Sequence, residues 1–74
     1  MKPEEWVQEF AEKVGQEVPS EDEFNAILDL AAVAAHASER TAAPVAAYLA
    51  GRSGRSLEDI EAIAEKIAGA GRAS

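Results

Sequence analysis

The chain has 74 residues, enough for one small domain, and 14 acidic against 7 basic residues give a net charge of −7. This acidity argues against nucleic-acid binding, which needs a basic face to displace counterions from phosphates. The chain has no cysteine and one histidine, which excludes disulfides and a structural zinc site. It also has no run of roughly 20 apolar residues, which excludes a membrane span. We therefore expect one cytoplasmic domain over residues 1–74.

The first predicted helix begins at Pro3 and ends before Gly15. Proline suits a first helical position because its fixed φ matches the helix and its missing N–H has no partner there. Trp6, Phe10 and Val14 recur every four residues and form an apolar line, which predicts a helix packed on a core with Trp6 inside that core.

The second predicted helix is the longest element and begins with a capping box. Ser20 and Glu23 have the spacing at which a serine hydroxyl and a glutamate carboxylate each bond the other's backbone N–H. The helical period then places a set of apolar and small residues on one face, which we expect to be buried. These residues are Phe24, Ile27, Leu28, Ala31, Ala34, Ala35 and Ser38.

A polar stripe runs along the opposite side of this helix. Asp29, Val33, His36 and Arg40 follow at spacings of four, three and four, so His36 and Arg40 can contact the same ligand or neighbour. Asp29 and His36 are about 10 Å apart along the axis, too far for a direct hydrogen bond. A purely structural interpretation stays open: Asp29 caps or pairs with another helix, His36 fills a half-buried slot, and Arg40 bonds the last carbonyls.

The third predicted helix is short because Pro44 must lie near its start and Gly51 is its predicted stop. Val45, Tyr48 and Leu49 form its predicted buried face.

The following GRSGRS segment combines glycine freedom with the guanidinium groups of Arg52 and Arg55, which could cradle a phosphate or carboxylate. Residues 40–56 carry three arginines and no acid, whereas residues 1–39 carry a charge of −8. The alternative is a flexible connection between helices.

The fourth predicted helix starts at Ser56, with Asp59 in an acidic variant of the capping box. Its predicted apolar stripe is Leu57, Ile60, Ile63, Ala64 and Ile67. Gly69 and Gly71 are expected to end it, leaving residues 70–74 as a frayed tail. The predicted fold is all-α, a compact bundle of four helices over residues 3–14, 21–39, 43–50 and 57–69.

Several short runs of the chain resemble a bacterial family of domains of unknown function. The runs are Glu5-Trp6, Ile27-Leu28-Asp29-Leu30-Ala31, Ala35-His36, Glu39-Arg40, Ala42-Ala43-Pro44 and Tyr48-Leu49, within a resemblance over roughly residues 3–70. Members of that family occur stand-alone and as a C-terminal extension of nucleotidyltransferases similar to the molybdenum cofactor guanylyltransferase. The resemblance implies a role in molybdenum cofactor biosynthesis through partnership, with Asp29, His36 and Arg40 as the matching site residues.

The leading hypothesis is a non-catalytic helical interaction or accessory module that docks on such a nucleotidyltransferase or binds a small anion. Its candidate binding residues are Asp29, His36, Arg40, Arg52 and Arg55. The alternative is a self-associating structural domain, a homodimer without a ligand. An independent enzyme is not expected, because His36 has only a distant carboxylate as a partner. We therefore expect a protein partner or a second copy, and no nucleic acid, membrane, metal or cofactor.

Overall fold

The chain folds into four α-helices. The computed structural model describes the backbone of residues 1–73 and the side chains of residues 1–69. The helices are α1 (Pro3–Val14), α2 (Glu21–Ala37), α3 (Ala42–Ser53) and α4 (Leu57–Ala73), and the described backbone contains no strand. The predicted all-α fold of four helices is confirmed.

Helix α1 begins and ends as the sequence predicts. Pro3 occupies the first turn, and Gly15 follows the helix with a φ of 76°, a left-handed conformation that glycine adopts without steric cost. The N–H of Gln16 donates to the Ala11 carbonyl at 2.9 Å and that of Gly15 to the Glu12 carbonyl at 3.2 Å. These two bonds form a Schellman motif, which satisfies carbonyls that the helix end leaves free.

The serine caps of α2 and α4 are also present. The Glu23 N–H donates to Ser20 Oγ at 3.1 Å, and the Ser20 N–H donates to Glu23 Oε1 at 2.9 Å. Ser56 Oγ accepts a bond from the Asp59 N–H at 3.1 Å. Each cap satisfies N–H groups of a first turn, so these starts follow from local sequence alone.

Three helix ends differ from the prediction. Helix α2 ends at Ala37 rather than at residue 39, and α4 continues through Gly69 to Ala73. Helix α3 runs on through Gly51, and Gly54, with a φ of 73°, follows its last residue instead. An interior glycine only weakens a helix, so the left-handed φ decides which glycine is the stop. The predicted frayed tail covers residues 70–74. The backbone of residues 70–73 belongs to α4, and their side chains and the whole of Ser74 lie outside the described residues.

Helix α2 is the central element of the packing. It packs against both α3 and α4, whereas α1 makes no contact of similar extent with the described helices. The molecule measures 43 × 24 × 18 Å. The core is small: Leu30 is 4% exposed, and the other deeply buried side chains are Ala11, Ile60 and Ala68.

The buried faces of α2 and α4 are turned relative to the predicted ones. On α2, Leu30 lies deepest, although the predicted face did not include it, and Leu28 is 54% exposed. On α4, Ile60 is buried as predicted, but Ile63 is 42% and Ile67 is 67% exposed. Apolar residues occupy more of the surface of each helix than the neighbouring helices cover. The helical period therefore predicted a buried face that is wider than the observed one.

Two predictions of burial are wrong. Trp6 is 55% exposed, and Val45, Tyr48 and Leu49 all lie on the exposed side of α3. The half-buried side chains of α3 are five alanines at helical spacing: Ala42, Ala43, Ala46, Ala47 and Ala50. Small side chains let two helix backbones approach closely, so α3 lies on α2 with its alanine side and presents its large residues outward.

Candidate functional site

A groove of about 720 Å³ lies where the second halves of α2 and α4 meet the first turns of α3. Its walls are mostly apolar: Leu30 and Val33 come from α2, Ala46 from α3, and Ile67 and Ala68 from α4. The groove lies between α3 and α4, which both pack against α2 but, within the described part of the chain, make no contact of similar extent with each other. Its volume is in the range of pockets that hold small molecules or large side chains.

Polar groups stand at the edge of this groove. His36 and Ser38 line it from the end of α2, and Glu65 lines it from α4. All three side chains are exposed to solvent. An apolar floor with an imidazole and a carboxylate at its margin can bury an apolar group and orient a polar one.

The predicted polar stripe is exposed, and only part of it reaches the groove. Asp29 and His36 are solvent-exposed on α2, and Arg40 is exposed beyond the end of that helix at Ala37, whereas Val33 of the same stripe is half-buried. Among the described residues, no side-chain hydrogen bond or ion pair involves Asp29, His36 or Arg40. His36 lines the groove, whereas Asp29 and Arg40 do not. The open position of His36 makes it available to a partner.

The two arginines of the GRSGRS segment have intramolecular partners. The Arg52 guanidinium lies 5.6 Å from the centroid of the Tyr48 ring, and Arg55 Nη1 donates to Asp59 Oδ2 at 2.8 Å. Both groups are exposed, so each contact contributes little to stability. They nevertheless orient the guanidinium groups along α3 and α4 rather than toward one point.

The hydroxyls of this segment serve the backbone. Ser53 Oγ donates to the Ala50 carbonyl at 2.7 Å and accepts from the Arg55 N–H at 3.1 Å. Ser56 Oγ caps α4. These contacts favour a structural role for the segment, whose first half, residues 51–53, ends α3 and whose second half, residues 54–56, connects it to α4. Anion binding by Arg52 and Arg55 stays a prediction.

The side chains that could bind a metal ion do not cluster in the described residues. No group of three or more histidine, aspartate or glutamate side chains converges there at metal-binding distance. His36 has no carboxylate within hydrogen-bonding distance. Within this part of the chain, no helix has the length and apolar composition that crossing a membrane requires.

Sequence reasoning missed the outward face of α3. The signal was available, because alanines recur at helical spacing on one side of α3 while Val45, Tyr48 and Leu49 occupy the other. A small-residue face is the better one for close packing, so the large residues should have been assigned to the surface.

Comparison with known proteins identifies a family but no characterised relative. Neither the search of curated proteins nor that of solved structures gives a match. The model of a domain of unknown function, DUF6457, matches residues 2–73, which include all four helices. The chain therefore belongs to the DUF6457 family.

Proposed function

We propose that this domain is a non-catalytic interaction module whose binding site is the groove between α2, α3 and α4. The observation that carries the proposal is an apolar groove of about 720 Å³ with the open His36 side chain at its edge. The partner inserts an apolar side chain or one face of a helix, and the imidazole and Glu65 fix its orientation at the margin. A helix in a groove is a common form of protein recognition.

The proposed partner is a nucleotidyltransferase similar to the molybdenum cofactor guanylyltransferase. This choice rests on the sequence resemblance around Asp29, His36 and Arg40. The domain contributes docking and leaves the nucleotide chemistry to the enzyme. An exposed Arg40 at the turn after α2 gives the partner a cationic contact beside the groove.

The proposal is tested by measuring the affinity of the domain for a purified enzyme of this kind by calorimetry. Ala37 is exposed and lines the groove, so Ala37→Leu places a larger side chain where the partner would bind. We expect this variant to bind at least about tenfold more weakly, because a filled pocket excludes an anchor side chain. His36→Ala should weaken binding as well.

The matched control is Ala62→Leu, which makes the same substitution at an exposed position of α4 that does not line the groove. This variant should bind as the unmodified domain does. Circular dichroism checks that both variants keep their helix content. Equal affinities of Ala37→Leu and Ala62→Leu, or no binding by the unmodified domain, would contradict the proposal.

A further inference from the structure

We infer that a second copy of this chain covers the outward apolar faces of α1 and α3. In the inferred dimer, α1 of one copy packs along α3 of the other, and a two-fold axis repeats this contact. The large apolar residues of these faces do not line the groove of the proposed function, so the inferred contact uses a separate surface.

The first of the two faces is on α1. Trp6 and Phe10 stack with ring centroids 5.1 Å apart and planes inclined by 14°. Both rings are about half exposed, and Val14, one turn further on, is equally open. Exposed aromatic residues in a row on a helix that packs little on its own molecule indicate a surface that another chain covers.

The second face is on α3. Val45, Tyr48 and Leu49 lie outward beside Arg52, whose guanidinium lies over the Tyr48 ring. Tyrosine and arginine are enriched at the centres of protein interfaces, since both combine a flat apolar area with polar groups. Helices α1 and α3 both have 12 residues, so their faces have similar lengths.

The chain exposes more surface than a compact monomer of its mass. The chain exposes 5926 Å². A compact monomer of 7.8 kDa is expected to expose about 4,400 Å². The chain thus exposes roughly 1,500 Å² more than a compact monomer of its mass, as expected for an elongated molecule with uncovered apolar helix faces.

Charge determines which faces meet. Helix α1 has four glutamates and one lysine, for a net charge of −3, whereas α3 has Arg52 and no acidic residue. Pairing α1 with a second α1 would bring two anionic helices together. Pairing α1 with α3 brings opposite charges together and covers both apolar faces at once. A second copy of the chain therefore offers each face an apolar surface of opposite charge.

The first test is the mass of the domain in solution by sedimentation equilibrium. The unmodified chain should have twice its 7.8 kDa mass. Phe10→Glu on α1 and Leu49→Glu on α3 should each give monomers, because each places a carboxylate in the apolar contact. Leu28→Glu, at an exposed leucine of α2, is the control and should remain dimeric.

Crosslinking tests the pairing of the helices. The chain has no cysteine, so an introduced one reports a single position. We expect an equal mixture of Phe10→Cys and Leu49→Cys chains to form a disulfide between the two different chains on mild oxidation. A disulfide confined to pairs of Phe10→Cys chains would overturn the α1–α3 contact. A monomeric mass for the unmodified chain at every concentration, or a mass that grows beyond two copies, would overturn the dimer.

Discussion

The cap of α2 depends on a single hydroxyl. Ser20 Oγ accepts the Glu23 N–H, and the glutamate in turn accepts the serine N–H. Ser20→Ala removes the first bond and leaves an N–H of the first turn without a protein acceptor. We expect the free energy of unfolding to fall by about 1 kcal/mol. Urea unfolding followed by circular dichroism measures this loss.

Ser38→Ala is the control for that substitution. Ser38 lies at the other end of α2, is exposed, and makes no side-chain hydrogen bond with the described residues. Its replacement should change the free energy of unfolding by less than about 0.5 kcal/mol. Equal effects of the two substitutions would show that the cap adds nothing beyond a generic serine contribution.

The two glycines around Arg52 should respond to alanine in opposite ways. Gly51 lies inside α3 with nothing within 4 Å of an added Cβ, so Gly51→Ala should raise the free energy of unfolding by about 0.5–1 kcal/mol. Gly54 also has open space around it but has a φ of 73°, so Gly54→Ala should lower it by about 1–2 kcal/mol. Thermal unfolding measures both changes, and a loss at Gly51 would contradict the observed extent of α3.

At the scale of the helix, two leucines of α2 distinguish the observed buried face from the predicted one. Leu30 is 4% exposed and Leu28 is 54% exposed. Leu30→Ala should cost about 2–4 kcal/mol, because it removes buried carbon atoms and leaves a cavity. Leu28→Ala should cost about 1 kcal/mol or less. The urea concentrations at the midpoints of unfolding compare the two variants.

Leu30→Ala could unfold so small a domain entirely, since total stabilities are only about 5–15 kcal/mol. In that case Leu30→Met can be measured instead. It conserves the side-chain volume, so it should lower the free energy of unfolding by less than about 1.5 kcal/mol and leave the domain folded. If Leu28→Ala proved the more costly alanine substitution, the face predicted from periodicity would be the correct one.

The helices and their starts could be predicted because their causes are local. Ser20, Ser56 and Pro3 act within one turn of their own position, and the structure shows them where the sequence places them. The orientation of α3 could not be predicted in this way. Both of its sides are apolar, so the helical period did not choose between them, and the choice had to come from the preference of alanines for close packing on another helix.

The candidate site was predictable to the same limited extent. The sequence placed Asp29 and His36 on α2, where both are exposed, but Arg40 lies beyond the end of the helix at Ala37, so the predicted continuous stripe is shorter than the period suggested. The groove beside His36 depends on α3 and α4, which are distant in sequence, so nothing near the histidine revealed it. Which helix neighbours a residue is decided by tertiary packing rather than by local pattern.

For the molecule as a whole, repulsion among like charges should limit stability. The net charge is −7, and Arg55–Asp59 is the one salt bridge among the described residues. Raising NaCl from about 10 mM to about 300 mM shortens the range of this repulsion. We expect the unfolding temperature to rise by several degrees at a fixed protein concentration, as calorimetry would show. A fall would mean that attractive pairs dominate.

The position of Trp6 separates two optical signals. It is the single tryptophan of the chain, and its side chain is 55% exposed on α1. Its fluorescence spectrum therefore reports the surroundings of α1, whereas far-ultraviolet dichroism reports helix content throughout the chain. On dilution, an emission shift to longer wavelength with constant dichroism would follow loss of contact between chains without unfolding. One sample can thus distinguish assembly from folding without any added label.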